Sequence, residues 1–497
     1  MERAMKQEPK REREQHAAPV VTSTCHNGAS GQEGHAASHD ASFADALAYL
    51  KDLTKFGFNF GLGRITELLR RLGDPHRRER PAFIHVGGTN GKGSTSVMTA
   101  AVLQAAGHRV GLFTSPHLHC YTERTRINGE PIAKAKMAAL IAELRPHLEA
   151  MVAEGFEHPT EFEVWTALSL LYFAQEDVDV VVLEVGLGGA IDSTNVVTPI
   201  VACITNVTFD HMDYLGTTLP EIAAVKGGIV KAGAPLVTAS EEAPVLAVLR
   251  EKAEQVGAPV IQVVRRGPIL PKAIQVRWEP VAGQERERIV VEGRLGLYGP
   301  LTPPLTGKHQ QVNLATAVAV LEAAKEKGFD WRPDHLASGL RQVTWPGRLE
   351  RLGSFLLDGA HNVAGALALA GALREEGAGK RVFVLGMLAD KERERVVEIL
   401  APLANAIVVT RPNSPRAGEW QALASLAASR CPRVFVVDDI GDALEKARQL
   451  APSTPAAVVG EPPRLAAPIV VTGSLYMVAE ARNVILSDEC NRRFYEK

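Results

Sequence analysis

The chain has 497 residues, enough for two or three domains, with 46% apolar and 23% charged residues and a formal net charge of −2. That balance excludes a broad basic surface for nucleic acid, and no apolar run approaches the roughly 20 residues of a membrane-spanning helix. Five cysteines (Cys25, Cys120, Cys203, Cys431, Cys490) form no CxxC pair, so structural zinc and a disulfide framework are not expected. Reduced thiols, with no secretory h-region ahead of them, are the pattern expected of a cytoplasmic enzyme.

Residues 1–41 are polar and Gly/Ser/His-rich, the composition of a disordered tail. Its His16, His26, His35 and His39 lack ligand spacing and read as solvated. From Ser42 the pattern turns helical, with Phe43, Leu47, Leu50 and Leu53 near a 3.6 period. Phe56, Phe58 and Phe60 lie in a glycine-bearing loop, where they either clamp an aromatic ligand or pack on the core. Ile65, Leu68 and Leu69 mark a second short helix.

Phe83–Val86 predicts a buried strand, Gly87–Gly93 a glycine-rich turn, and Ser94 onward a helix. Strand, glycine loop and helix start together form a phosphate cradle, in which free N–H groups and the helix dipole face an anion. Lys92 adds a point charge for the outer phosphates. The general P-loop pattern requires Ser or Thr directly after the lysine, whereas here Gly93 precedes Ser94, which points to a narrower group of proteins.

Val110–Phe113 predicts a second strand, ending in Thr114-Ser115-Pro116-His117-Leu118. After a helix over Pro131–Val152, Thr160 and Glu163 have capping-box spacing at the start of a helix running to Gln175, with substrate contact as the alternative use of these residues. Val178–Val185 is apolar enough for a strand buried on both faces, and it carries Glu184 near its end. Ile200–Ile204 is the next strand, with Asp210-His211 just beyond. Glu221–Val230 predicts a helix in which Lys226, taken alone, reads as a solvated surface lysine. Strands at Val237 and Val260–Val264 follow, then an antiparallel flap over Leu270–Leu297 and helices over Leu314–Lys327 and Pro333–Leu340.

Trp345-Pro346-Gly347-Arg348 punctuates the chain as a hinge. Beyond it, strands at Phe355–Asp358, Val382–Leu385, Ala406–Thr410, Val434–Val437 and Ile469–Thr472 alternate with helices. The expected fold is α/β with two domains. Residues 42–343 form a P-loop-containing, mainly parallel-sheet ATPase domain, residues 344–347 the hinge, and residues 348–497 a smaller Rossmann-like domain. Ser115, Glu184 and His211 fall at or past strand ends, where parallel sheets gather ligands. They are candidates to share Mg²⁺ with ATP, and the histidine suggests tolerance of Mn²⁺.

These stretches resemble the folylpolyglutamate synthase/dihydrofolate synthase family of Mur-ligase-like enzymes. The similarity is carried in order by Gly88–Ser94, Phe113–Leu118, Thr160–Glu163, Glu184–Gly189, Asp210-His211, His309-Gln310, Trp345–Arg348, Asp358–Asn362 and Gly473–Tyr476, spanning about residues 43–485. The resemblance implies an ATP-dependent ligase that phosphorylates a folate-type carboxylate and joins it to L-glutamate. It further implies that Asn90, Gly91, Lys92, Gly93, Ser94, Asn313, Arg348 and Asp358 hold ATP. Ser115, Glu184, His211 and a carbamylated Lys226 would hold the metal, with Lys92, Lys226 and His211 the catalytic set. Thr160, Glu161, Phe162, Glu163, Ile191, Asp192 and Ser193 would lie at the pterin-substrate site, and His361 and Ser474 at the glutamate site. The partners implied are ATP, L-glutamate and dihydropteroate or a reduced folate, acting on a monomer.

The family's Gly-Gly-Arg is here Gly188-Gly189-Ala190, and its Glu-Lys-Ala-Gly-Ile is Val225-Lys226-Gly227-Gly228-Ile229. Its Asp-Gly-Ala-His-Asn-Pro ends in Val363. Competing readings are a Mur-type ligase of peptidoglycan precursors and a nucleotide- and pterin-binding protein with weak ligase activity. The first typically has Thr after the loop lysine.

Overall fold

The structure is a computed structural model that describes residues 33–57, 59–266, 274–281, 288–377, 379–451 and 467–495. Eleven strands of the described residues form the first sheet: β1 (Ala82–Gly87), β2 (Val110–Phe113), β3 (Thr125–Ile127), β4 (Glu130–Pro131), β5 (Val180–Glu184), β6 (Val201–Ile204), β7 (Leu236–Thr238), β8 (Val260–Arg265), β9 (Ile274–Pro280), β10 (Ile289–Glu292) and β11 (Leu297–Leu301). Their order is β11-β10-β9-β8-β7-β6-β1-β5-β2-β3-β4. The strands from β9 through β2 pair in parallel, and antiparallel hairpins finish both edges.

Strands β1 and β5 are central, and both faces of each are covered, which is why their sequences are almost wholly apolar. On one face, helices Lys92–Ala105, His309–Lys325 and Pro333–Gln342 bury Met98, Leu103, Leu314, Val318 and Leu340. On the other, helices Lys134–Ala153 and Glu161–Gln175 bury Leu140, Leu144, Trp165 and Leu168. Each such side chain contributes roughly 1.5–3 kcal/mol when fully buried.

Six further strands form a second sheet: β12 (Glu350–Leu352), β13 (Phe355–Asp358), β14 (Arg381–Leu385), β15 (Ala404–Val409), β16 (Val434–Val436) and β17 (Ile469–Thr472). The order is β12-β13-β17-β14-β15-β16, parallel except for β12. Helices cover both of its faces, giving two cores.

Several local expectations change: β3 and β4 were not expected, and the helix expected from Pro131 starts at Lys134, with Pro131 in β4. The first helix begins at Glu33, inside the stretch expected to be tail, and residues 1–32 lie outside the described residues. Of the antiparallel flap expected over Leu270–Leu297, the described residues form β9 to β11: these pair antiparallel as expected, but β9 also pairs in parallel with β8, so they extend the main sheet. The helix expected from Leu314 begins at His309, because its first turn is polar and gives no apolar period. Strand β12 was not expected: it is three residues long and carries Glu350 and Arg351. Among the described residues no helix is long and apolar enough to cross a membrane.

Candidate active site

Residues just past the carboxyl ends of strands in both sheets line one cavity of about 360 Å³. From the first sheet come the loops after β1, β2, β5 and β6, and from the second the loop after β13. This is where a parallel sheet presents ligand-binding groups.

The loop after β1 passes through Gly91 at φ +85°, and the helix starts at Lys92. A Cβ at Gly91 would overlap the Asn313 side chain, so this glycine meets both a left-handed backbone and a close neighbour. Thr205 Oγ1 donates to the Asn90 carbonyl at 2.7 Å, and Asn206 Oδ1 accepts the Asn90 N–H at 3.0 Å. The loop is therefore fixed by the chain after β6. Lys92 Nζ folds back to the carbonyls of Gly88 and Thr89, both at 3.1 Å.

Lys226 Nζ reaches the same Gly88 carbonyl at 3.0 Å. It is 4% exposed, which corrects its reading as a surface lysine. Burial, reinforced by the charge of Lys92, pulls its pKa down to about 7. Ala190 and Val225, two of the departures from the family pattern, are direct neighbours, since the Ala190 N–H donates to the Val225 carbonyl at 2.8 Å. They constitute one local change.

Glu184 ends β5 and is buried, and its Oε2 accepts the Ser115 N–H at 3.1 Å. Burial pushes its carboxyl up to about 7, against the opposing charge of Lys92. His211 sits at φ +51°, with Nε2 3.4 Å from Lys391 Nζ. Burial brings the His211 pKa down to about 4.

Among the described residues no group of three or more His, Cys, Asp or Glu side chains is disposed to hold a metal alone. One carboxylate, one serine and one imidazole beside a phosphate loop still suit Mg²⁺, which binds few protein carboxylates and completes its shell with water and phosphate oxygens. A bound cation would offset the desolvation of the buried Glu184 carboxylate, which fits that ion.

From the second sheet, Asp358 places both oxygens on loop backbone, accepting the Leu349 N–H at 3.0 Å and the Ala360 N–H at 2.9 Å. Arg348 lines the cavity beside it. His361 Nδ1 bonds the Gly359 carbonyl at 2.8 Å, and burial, with Lys391 next, lowers its pKa to about 4. Ser474 is buried and its Oγ accepts the Tyr476 N–H at 3.2 Å; the neighbouring Leu475, not Ser474, lines the cavity.

The cavity thus gathers Asn90, Gly91, Lys92, Gly93, Ser94, Ser115, Glu184, His211, Lys226, Asn313, Arg348, Asp358 and His361. The residues expected at the pterin site do not line it. Thr160 and Glu163 form the capping box of helix Glu161–Gln175, and Glu161 pairs with Arg124 at 2.8 Å. The Phe162 ring lies on Gly186, where a Cβ would overlap it. Asp192 is buried, its oxygens accepting the Leu187 and Thr194 N–H groups at 2.7 and 2.9 Å, and Ile191 and Ser193 adjoin it in the same loop.

Lys391 was not singled out from sequence, and Asn362 was named only as the end of the Asp358–Asn362 stretch, with no role of its own. Lys391 Nζ bonds Asp210 Oδ1 at 2.8 Å across the cleft, and Asn362 Nδ2 bonds Asp210 Oδ2 at 2.9 Å. Both follow strands of the second sheet at their carboxyl ends, so the strand-end rule that selected Glu184 applies to them as well.

Comparison with known proteins decides the family. Residues 86–321 match the Mur ligase middle domain and residues 347–460 the Mur ligase glutamate ligase domain. A dihydrofolate synthase/folylpolyglutamate synthase of Bacillus subtilis is 36% identical over 450 residues, covering 89% of this chain and 98% of that protein. The chain belongs to the folylpolyglutamate synthase/dihydrofolate synthase family of Mur-type ligases. The family assignment makes it an ATP-dependent ligase. Its fold is similar to that of Mycobacterium tuberculosis folylpolyglutamate synthase complexed with ADP, at a TM-score of 0.79 and 34% identity over 90% of this chain and 99% of that one. It is also similar to E. coli FolC in complex with DHPP and ADP, at a TM-score of 0.75 and 28% identity over 90% and 98%.

Proposed function

We propose that this chain uses ATP to join L-glutamate to the carboxylate of dihydropteroate, of a reduced folate, or of both. The observation that carries the reading is the cavity itself. A phosphate loop of the family's type on one sheet faces Arg348, Asp358 and His361 on the other. Residues 42–343 would then act as the ATP-binding unit, 344–347 as the hinge and 348–497 as the glutamate ligase unit. A Mur-type ligase of peptidoglycan precursors is not favoured by the relatives.

In this mechanism the γ-phosphoryl group of ATP passes to the acceptor carboxylate, and the glutamate amine attacks the resulting acyl phosphate to give an amide and phosphate. Gly91 to Ser94 present N–H groups and a helix start to the phosphates, and Lys92 offsets charge on the transferring group. Asn313, Arg348 and Asp358 complete the nucleotide contacts. Ser115, Glu184 and His211 would hold Mg²⁺, which supplies positive charge to the phosphates when bound with ATP. Lys226, buried and partly neutral near pH 7, has the free amine that carbamylation by CO₂ requires. His361 and Ser474 are assigned to glutamate, and closure between the sheets shields the acyl phosphate from water.

Thr160–Glu163 and Ile191–Ser193 are assigned to the pterin-bearing substrate. Glu163 Oε1 is buried without a hydrogen-bond partner among the described residues, and the N–H-rich edge of a pterin offers donors to such an oxygen. The test is incubation of the protein with ATP, Mg²⁺ and labelled glutamate, with dihydropteroate and tetrahydrofolate in separate tubes. Labelled amide is expected in at least one; none in either rejects the reading. Extra density on Lys226 Nζ in a crystal is the expected mark of the carbamate, and a bare amine rejects it.

A further inference from the structure

Within the cavity, contacts between the two sheets converge on one carboxylate and one amide. Asp210, in the loop after β6, faces three groups of the second domain. Its Oδ1 accepts Lys391 Nζ at 2.8 Å, its Oδ2 accepts Asn362 Nδ2 at 2.9 Å, and His361 Nε2 stands 3.9 Å from Oδ2. The Asp210–Lys391 pair is buried in the cleft, with side-chain exposures of 9% for Asp210 and 6% for Lys391.

Asn362 links this cluster to the phosphate loop. Its Nδ2 also donates to Asn90 Oδ1 at 3.2 Å, and Asn90 Nδ2 returns a hydrogen bond to Asn362 Oδ1 at 3.4 Å. The same Oδ1 accepts the Gly365 N–H at 2.8 Å and so caps helix Val363–Glu375. One amide thus starts a helix of the second domain, holds the Asp210 carboxylate and pairs with a residue next to Gly91-Lys92.

We propose that Asn362 is a positioning residue that couples the phosphate loop to the glutamate-binding domain, so that phosphoryl transfer takes place only with the second domain docked on Asp210. The inference rests on the ligase reading above. In a two-step reaction the acyl phosphate has two fates: attack by the glutamate amine gives amide and phosphate, and attack by water returns the carboxylate and phosphate. The docked domain favours the first fate by holding the amine in place and excluding water. Without the amide pair, the loop still binds nucleotide, but transfer proceeds with the cleft loosely closed and water competes.

The test uses Asn362→Ser in the full chain. Serine retains a cap acceptor for helix Val363–Glu375 but has no amide to donate to Asp210 and Asn90. Wild type, Asn362→Ser, Asn90→Ala and the double variant are assayed for phosphate released per amide formed, amide turnover and affinity for an ATP analogue. Wild type is expected to release about one phosphate per amide. Asn362→Ser is expected to release at least threefold more phosphate per amide, to lose roughly tenfold in kcat, and to bind the analogue within threefold of wild type. The double variant is expected to match the worse single variant within twofold.

A variant that releases one phosphate per amide overturns the inference while leaving the ligase reading intact. So do single-variant losses that multiply in the double variant, and so does a loss confined to analogue affinity. Absence of amide with wild type on every acceptor overturns both. If Asn362→Ser melts well below wild type, Asn362→Asp replaces it: it keeps the cap and sets a second carboxylate against Asp210, and the same rise in phosphate per amide is expected.

Discussion

At the scale of single residues, the site is a set of charges held out of water. Among the described residues Lys92 Nζ bonds backbone carbonyls of its own loop, so its ammonium can turn to a phosphate. Lys92→Ala is expected to lower kcat/KM for amide formation by roughly 10³-fold or more, with an unchanged melting temperature; near-normal turnover would refute the phosphate role. Glu184 and Lys226 make a pH prediction. The Glu184 pKa is raised by burial from 4.5 to about 7, so its contribution to stability is complete below pH 4.5 and lost as pH rises through 7. The Lys226 pKa is lowered by burial from 10.5 to about 7, so its contribution is complete above pH 10.5 and lost as pH falls through 7. The two contributions taken together are therefore smallest near neutrality in the nucleotide-free protein. The Glu184 shift corresponds to roughly 3 kcal/mol. Glu184→Gln is expected to melt a few degrees above wild type at pH 7.5, to converge with it near pH 5, and to lose ligase activity; equal melting at both pH values would show that the carboxyl is not so strained.

At the scale of elements, helix Glu161–Gln175 poses a choice between capping and substrate contact. Its capping box is intact, with Glu163 Oε2 accepting the Thr160 N–H at 2.7 Å and Arg64 Nε at 3.1 Å. Thr160→Ala should cost about 1 kcal/mol of stability. If the box also shapes the pterin site, the KM for the pterin substrate rises severalfold and Thr160→Ser restores both; a lower melting temperature with unchanged KM leaves Thr160 a cap only. This helix was legible in the sequence because its cap signals and apolar run are local. Strands β1 and β5 were legible for the same reason, since burial on both faces leaves a nearly continuous apolar sequence. The start of helix His309–Lys325 was not, because the turn carrying His309 and Asn313 faces the cavity and is polar. Polar residues that serve the site erase the periodicity that marks a helix. Strand β12 escaped for another reason: three residues at a sheet edge carry too little pattern.

At the scale of the whole molecule, what sequence could not supply is the fit between the two sheets, since Asn90 and Asn362, or Asp210 and Lys391, meet only after both domains have folded. The far side of the hinge has its own fastening. Arg482, on helix Leu475–Tyr495, bonds Glu350 at 3.0 and 3.1 Å and His119 Nε2 at 3.0 Å, while Glu350 Oε2 accepts the Gly347 N–H at 2.8 Å. Leu118 packs into the second domain's core beside these groups. The Arg482 guanidinium can donate to His119 only while the imidazole is neutral, and burial holds the His119 pKa below its ordinary value despite the nearby Glu123 carboxylate. With the folded value below the unfolded one, this contribution is complete above pH 6.5 and lost as pH falls through the folded value, when two cations would face each other. Limited proteolysis of the hinge near Trp345–Arg348 is therefore expected to quicken severalfold between pH 8 and pH 5 in wild type. Arg482→Met keeps the apolar stem and removes the fork, so its cleavage should already be fast at pH 8 and change little with acid. Its kcat should fall roughly threefold to tenfold while nucleotide affinity holds, because the cleft closes less often and the loop itself is untouched. Cleavage that is slow in the variant, or equally acid-sensitive in both proteins, would place the restraint on the hinge elsewhere than in the Arg482–His119 contact.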